Sequence, residues 1–237
     1  VIAETHKVSD ALKQVEKNTT FVPQQATENI VYIAPYDANQ IYLSAISNYG
    51  EKYSEELHPS ITLYNEYFGG GMNGIVFQEM REARGLAYSA AARYNDGGRK
   101  ELPYYMMTYI ATQNDKMKDA MDAFDEIIND MPESQAAFSL AKSSLESSLR
   151  TERITRASIF SYYDRMQRYG LNYDIRRDVF EALPALGLED VKAFQQNVVK
   201  NRPYHYAILG DENDLNFKDM QERGKVEKVS LETIFGY

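Results

Sequence analysis

FGGGMNGIVFQEMREARGLAY, residues 68 to 88, decides how this chain is read, because it sets Arg81 and Tyr88 on either side of a helix-to-strand turn. Asn73 has the side chain of a helix cap, and Val76, Phe77 and Met80 then fall on one side of a helix over 74 to 84. Gly85 ends that helix in the left-handed conformation that a side chain would disfavour. Arg81 lies in its last turns. Beyond Gly85, LAYSAAARY (86 to 94) has the residue types and length of a strand, which brings Tyr88 back alongside the last turn. The spacing therefore predicts that Arg81 and Tyr88 converge. Spacing alone leaves a plain alternative open. An arginine near a helix C-terminus meets the dipole favourably, and a strand tyrosine often packs its ring with the hydroxyl at the rim.

Outward from this stretch, NIVYIAP (29 to 35) and QIYLSAIS (40 to 47) read as strands, expected to pair antiparallel through YDAN. Ile61, Tyr64 and Phe68 share one face of a helix from 59 to 68, which Gly69, Gly70 and Gly71 stop. Strands 86 to 94 and 104 to 112 form a hairpin around NDGGRK. Met117, Ala120, Met121, Phe124, Ile127 and Ile128 mark an amphipathic helix closed by Pro132. Further helices follow at 133 to 151 through Phe138, Leu145 and Leu149, and at 156 to 169 through Ile159, Tyr163 and Met166. Two more are read at 175 to 182 and 188 to 199. YHYAIL (204 to 209) is a strand, and VEKVSLETIF (226 to 235) is expected to hold the last one. Strands bracketing helices predict an α+β fold: a mostly antiparallel sheet with helices packed on it.

The 68 to 88 stretch closely resembles the glycine-rich helix and following strand in the C-terminal, non-zinc half of the pitrilysin and insulinase family of zinc metallopeptidases. The likeness extends over one repeat unit, from about Asn29 to about Thr233, including SLAKSSLESSLR (139 to 150) and YHYAILGD (204 to 211). In that family one half carries an HxxEH zinc helix, and the other supplies an arginine and a tyrosine that reach the scissile peptide. The resemblance places those two roles, catalytic and substrate-binding, on Arg81 and Tyr88. Gly69, Gly70, Gly71 and Gly85 become structural turn glycines. Arg84 is a weaker candidate, read as a surface charge.

The resemblance implies no metal or cofactor in this chain, with zinc in a partner domain that bears HxxEH, either upstream in the same chain or in a separate subunit. Laid on the zinc helix, the HxxEH positions fall on Leu63, Tyr64, Asn65, Glu66 and Tyr67, so both ligand histidines are replaced. His6, His58 and His205 have no helical ligand spacing among them. Glu55, Glu56 and His58 form a small donor cluster of the kind that sits in water. Gly69, Gly71 and Gly74 fit GxGxxG in letters, but the segment before them reads as a helix where a dinucleotide site needs a strand. A Walker loop fails because no lysine follows Gly74.

Composition bounds the rest. A chain of 237 residues with 43% hydrophobic residues can build a sizeable core. A formal net charge of −9 argues against nucleic-acid or anionic-membrane partners, and no apolar run is long enough for a membrane span. The chain reads as soluble. The absence of cysteine excludes disulfides, thiolate metal sites and cysteine nucleophiles, while leaving cytoplasmic and cell-envelope settings both open. Residues 1 to 22 read as a linker or N-terminal arm, and 23 to 237 as the domain, a piece of a longer chain. The functional expectation is the non-zinc half of a peptidase, inactive alone, binding a peptide substrate partly by strand addition at a sheet edge. The alternative is a non-catalytic structural subunit similar to processing-peptidase relatives in respiratory complexes.

Overall fold

A computed structural model describes residues 22–37 and 39–236, so the expected arm lies, except for Val22, outside the described residues. The strands are β1 (Ile30–Pro35), β2 (Gln40–Ser47), β3 (Ser89–Asn95), β4 (Tyr105–Gln113), β5 (His205–Gly210) and β6 (Lys225–Lys228). All join one sheet in the order β3-β4-β2-β5-β1-β6. The β3–β4, β4–β2 and β2–β5 pairs are antiparallel, whereas β6–β1 and β1–β5 are parallel. The sheet is thus mostly antiparallel, with helices on it, as its periodicity predicts.

The expected β1–β2 hairpin does not form. β5 lies between the two strands, with Ile208 opposite both Ile33 of β1 and Leu43 of β2. From Pro35 to Gln40 the chain must cross two interstrand spacings, about 10 Å, which four residues can cover. Tyr36 N–H donates to the Gly210 carbonyl at 3.0 Å, tying the link over the end of β5. A short connection therefore suited a step over one strand as well as a turn.

Against the sheet pack α1 (His58–Gly69), the short α2 (Ile75–Phe77) that follows it, and α3 (Met117–Asn129); further out come α4 (Gln135–Thr151), α5 (Ile159–Tyr169), α6 (Arg176–Ala182) and α7 (Leu188–Phe194), of which α4, α6 and α7 pack on α1. The amphipathic pattern of α3 is realised: Met117, Ala120, Met121, Phe124, Ile127 and Ile128 are all buried. In α1, Ile61, Leu63, Tyr64, Tyr67 and Phe68 are buried. Buried hydroxyls there are satisfied. Tyr64 donates to Gln195 Oε1 at 2.6 Å, and Tyr67 donates to the Pro132 carbonyl at 2.9 Å.

Two expectations need correction. Ile159 and Tyr163 of α5 are 52% and 58% exposed; the helix turns Met166 and Tyr169 inward, where Tyr169, Leu171 and Ile175 form a small separate core. The last segment divides: β6 stops at Lys228, and Leu231–Phe235 form a short helix, α9, capped by Ser230 Oγ accepting from Thr233 N–H. Between β5 and β6 lies α8 (Phe217–Arg223).

Candidate functional site

α1 ends against the backbone of β3. A Cβ at Gly69 would stand 1.8 Å from the Ala92 carbonyl oxygen, so only glycine allows this approach. Four residues earlier, Asn65 donates to the Tyr94 carbonyl at 2.9 Å and accepts from the Tyr94 N–H at 2.8 Å. The side-chain amide thus occupies the outer edge of β3 as a neighbouring strand would. Strand addition at this edge is closed at Tyr94.

After Gly70 the chain makes a 3-10 turn at Gly71–Asn73 and then the helical turn α2. Asn73 is not the cap: Gly74 takes that position in extended conformation, with no side-chain cap bond. From Gln78 to Ala83 the helix is π-helical. The extra residue per turn re-aims Arg81, and such widened turns are frequent at functional sites. Gly85 has φ +60°, the left-handed ending read from the sequence, and Leu86 and Ala87 N–H both donate to the Met80 carbonyl, at 2.9 and 3.3 Å. Two side chains pin the turn: Lys116 Nζ donates to the Gly85 carbonyl at 3.1 Å, and Thr112 Oγ1 to the Leu86 carbonyl at 2.5 Å.

Tyr88 sits at a second irregularity. Its N–H donates to the Ala111 carbonyl at 3.0 Å, while Ser89 is the registered partner of Ala111. Two residues oppose one, a β-bulge, and inward alternation slips: Ala87 and Ala90 are both buried. Tyr88 consequently points outward, 73% exposed. Arg81 Cζ lies 5.2 Å from the centroid of the Tyr88 ring and 5.1 Å from that of Phe77. Both distances are within cation–π range. Arg81 Nε also stands 3.7 Å from Glu82 Oε1. The pair therefore converges on one surface.

Arg84 is no loose surface charge. It donates to both carboxylate oxygens of Glu126, at 2.9 and 3.0 Å, and lies 3.5 Å from Glu79, clamping the π-helical turn to α3. That guanidinium holds the Glu126 carboxyl below its ordinary range. The positions laid on HxxEH are occupied structurally: Leu63, Tyr64, Asn65 and Tyr67 are buried, and Glu66 Oε1 accepts from Ser144 Oγ at 2.9 Å. Among the described residues no group of three or more His, Cys, Asp or Glu side chains is arranged to hold a metal. The segment before Gly69 is helical and the sheet is not doubly wound, which disposes of the dinucleotide reading. Sequence reasoning missed Asn65, the π-helical turn and the bulge. The run of alanines at 90 to 92 concealed the slipped alternation, since small residues sit equally well on either face.

The structure thus combines a mostly antiparallel sheet with helices packed on it and an arginine and tyrosine in contact across a glycine turn. The chain belongs to the peptidase M16 family, matching over residues 4–145 the domain described as the peptidase M16 inactive domain. It is 28% identical over 173 residues to an uncharacterized zinc protease of Mycobacterium tuberculosis, covering 70% of this chain and 38% of the relative. A similar zinc protease of Mycobacterium leprae is 26% identical over 160 residues, covering 64% and 34%. The crystal structure of a peptidase M16 inactive domain from Pseudomonas fluorescens superposes with a TM-score of 0.65 at 20% identity, covering 86% of this chain and 47% of that one. A conserved Enterococcus faecalis protein gives 0.66 at 14% identity, covering 85% and 46%. The likeness to the non-zinc half is thus borne out, and this chain spans less than half the length of each relative. Among the described residues, no helix is long and apolar enough to cross a membrane.

Proposed function

We propose that this domain is the non-zinc half of a zinc metallopeptidase, in which Arg81 and Tyr88 hold the scissile peptide and stabilise the oxyanion formed on it. The zinc belongs to a companion HxxEH domain, in the same chain or another, and this domain alone is inactive. The observation that carries the reading is the Arg81–Tyr88 contact, with Arg81 Cζ 5.2 Å from a ring that is itself 73% exposed. A guanidinium held by two rings loses rotamer freedom, and with Nε beside Glu82 its terminal N–H donors are left for a ligand. The exposed phenol adds a further O–H donor.

Bound at one peptide carbonyl, the two groups act at different stages. Arg81 would orient the ground-state oxygen with a permanent charge, and both donors would strengthen as negative charge grows on it; zinc in the companion domain would supply the activated water. The Gly85 turn and the Ala111 bond to Tyr88 fix the geometry in advance, so little reorganisation accompanies the reaction. The test is turnover of a quenched-fluorescent peptide by this domain recombined with its HxxEH companion, comparing wild type with Tyr88→Phe and Arg81→Ala. Unchanged turnover in both variants would favour the structural-subunit alternative.

A further inference from the structure

Between α1 and the outer face of the β3–β4 hairpin runs a cleft of about 630 Å³. Gly69, Gly70 and Gly71 form part of one wall, and Ala91, Arg93, Met107 and Tyr109 lie across from them. Three glycines in succession put main chain rather than side chains against an occupant. The opposite wall has an exposed apolar element in Met107 and a half-buried aromatic one in Tyr109. Glu66 and Arg93 are the charged groups of the lining. Glu66 is engaged by Ser144 Oγ, at 2.9 Å. Arg93, by contrast, makes no ion pair or side-chain hydrogen bond among the described residues, although its guanidinium carries five donors.

We propose that this cleft is a peptide subsite in which Arg93 selects an acidic side chain. The inference rests on the peptidase reading above and adds a substrate class to it. Arg93 lies on the same strand as the bulge at Tyr88, five residues further on, about 17 Å along an extended backbone. An extended peptide covers that distance in about five residues. A peptide whose carbonyl is held at Arg81 and Tyr88 therefore presents to Arg93 a side chain roughly four to six positions from the scissile bond. A carboxylate there matches the forked guanidinium in shape and charge. Elsewhere this chain, with its net charge of −9, repels acidic peptides, so the attraction is local and registers the peptide.

Fluorescence anisotropy with the isolated chain tests this, using a labelled ten-residue peptide that carries Glu or Lys at one position and neutral residues elsewhere. Wild type is expected to bind the Glu peptide about tenfold more tightly, and Arg93→Glu to reverse the order, both differences shrinking with added salt. In the recombined enzyme, moving Glu along the substrate should lower KM at one position four to six residues from the cut. Equal binding of both peptides, no binding of either, or a preference that survives Arg93→Glu overturns the proposal. A Glu preference without loss of turnover in Arg81→Ala sinks the peptidase reading and leaves the cleft standing. Loss of turnover with no Glu preference does the reverse.

Discussion

Asn65 closes the outer edge of β3 by bonding both backbone groups of Tyr94, at 2.8 and 2.9 Å, from the middle of a buried helix face. Unpaired strand edges invite association with other chains, and here the cover is a single side-chain amide backed by the close approach of Gly69 to Ala92. The substitution Asn65→Leu keeps the branched shape and removes both bonds, leaving the Tyr94 N–H and carbonyl without partners. A loss of about 2 to 4 kcal/mol is expected in denaturant unfolding, from two unsatisfied backbone groups at about 1 to 2 each. An unfolding midpoint indistinguishable from wild type would show that water replaces the amide without cost.

For Arg81 and Tyr88 the expected outcome separates turnover from stability. Tyr88→Phe deletes an exposed hydroxyl for which no hydrogen bond is formed among the described residues, so melting should stay near wild type. Turnover in the recombined enzyme should fall by about 10² to 10³, the loss typical of one oxyanion donor. Arg81→Ala should cost more, because charge and forked geometry go together. Thermal melting and steady-state kinetics on the same preparations check both halves.

Metal analysis offers a third check. The isolated chain, dialysed against micromolar zinc, is expected to retain no stoichiometric metal and to cleave no peptide. The HxxEH positions are filled by Leu63, Tyr64, Asn65, Glu66 and Tyr67, which supply a single carboxylate. One tightly held zinc per chain, or hydrolysis that a chelator abolishes, would contradict the reading.

His58 gives a pH dependence. Burial pushes its imidazole below the ordinary 6.5; Asp96 opposes the shift, and Arg165 reinforces it. His58 opens α1, where the positive end of the helix dipole also disfavours added positive charge. Because the folded state holds this proton less tightly than the unfolded state, the contribution is full above the unfolded value of 6.5 and is lost as pH falls below it. Wild type should lose more stability between pH 7 and pH 5 than His58→Gln, measured as the difference in urea midpoints. Parallel curves for the two proteins would assign the acid sensitivity to other groups.

Much of the architecture lies in local pattern. Alternation in β2, the α3 stripe from Met117 to Ile128, and the glycine that ends the helix before Leu86 are each set by residues within a few positions of one another. The replaced HxxEH histidines and the arginine-to-tyrosine spacing are equally local, and the sequence by itself determined them. What only tertiary structure decided involves partners far apart in the chain. β5 enters between β1 and β2 because His205–Gly210 offers both of them a buried pairing surface, a choice that a four-residue link cannot reveal. Ile159 and Tyr163 face solvent because Met166 and Tyr169 meet the small core around Leu171 instead. The π-helical turn and the bulge that aim Arg81 and Tyr88 arise where the clamp of Arg84 on Glu126 and the bond to Ala111 fix a helix and a strand started independently. Periodicity locates such elements, but the shift of a single residue that re-aims a side chain is set by the neighbours it packs against.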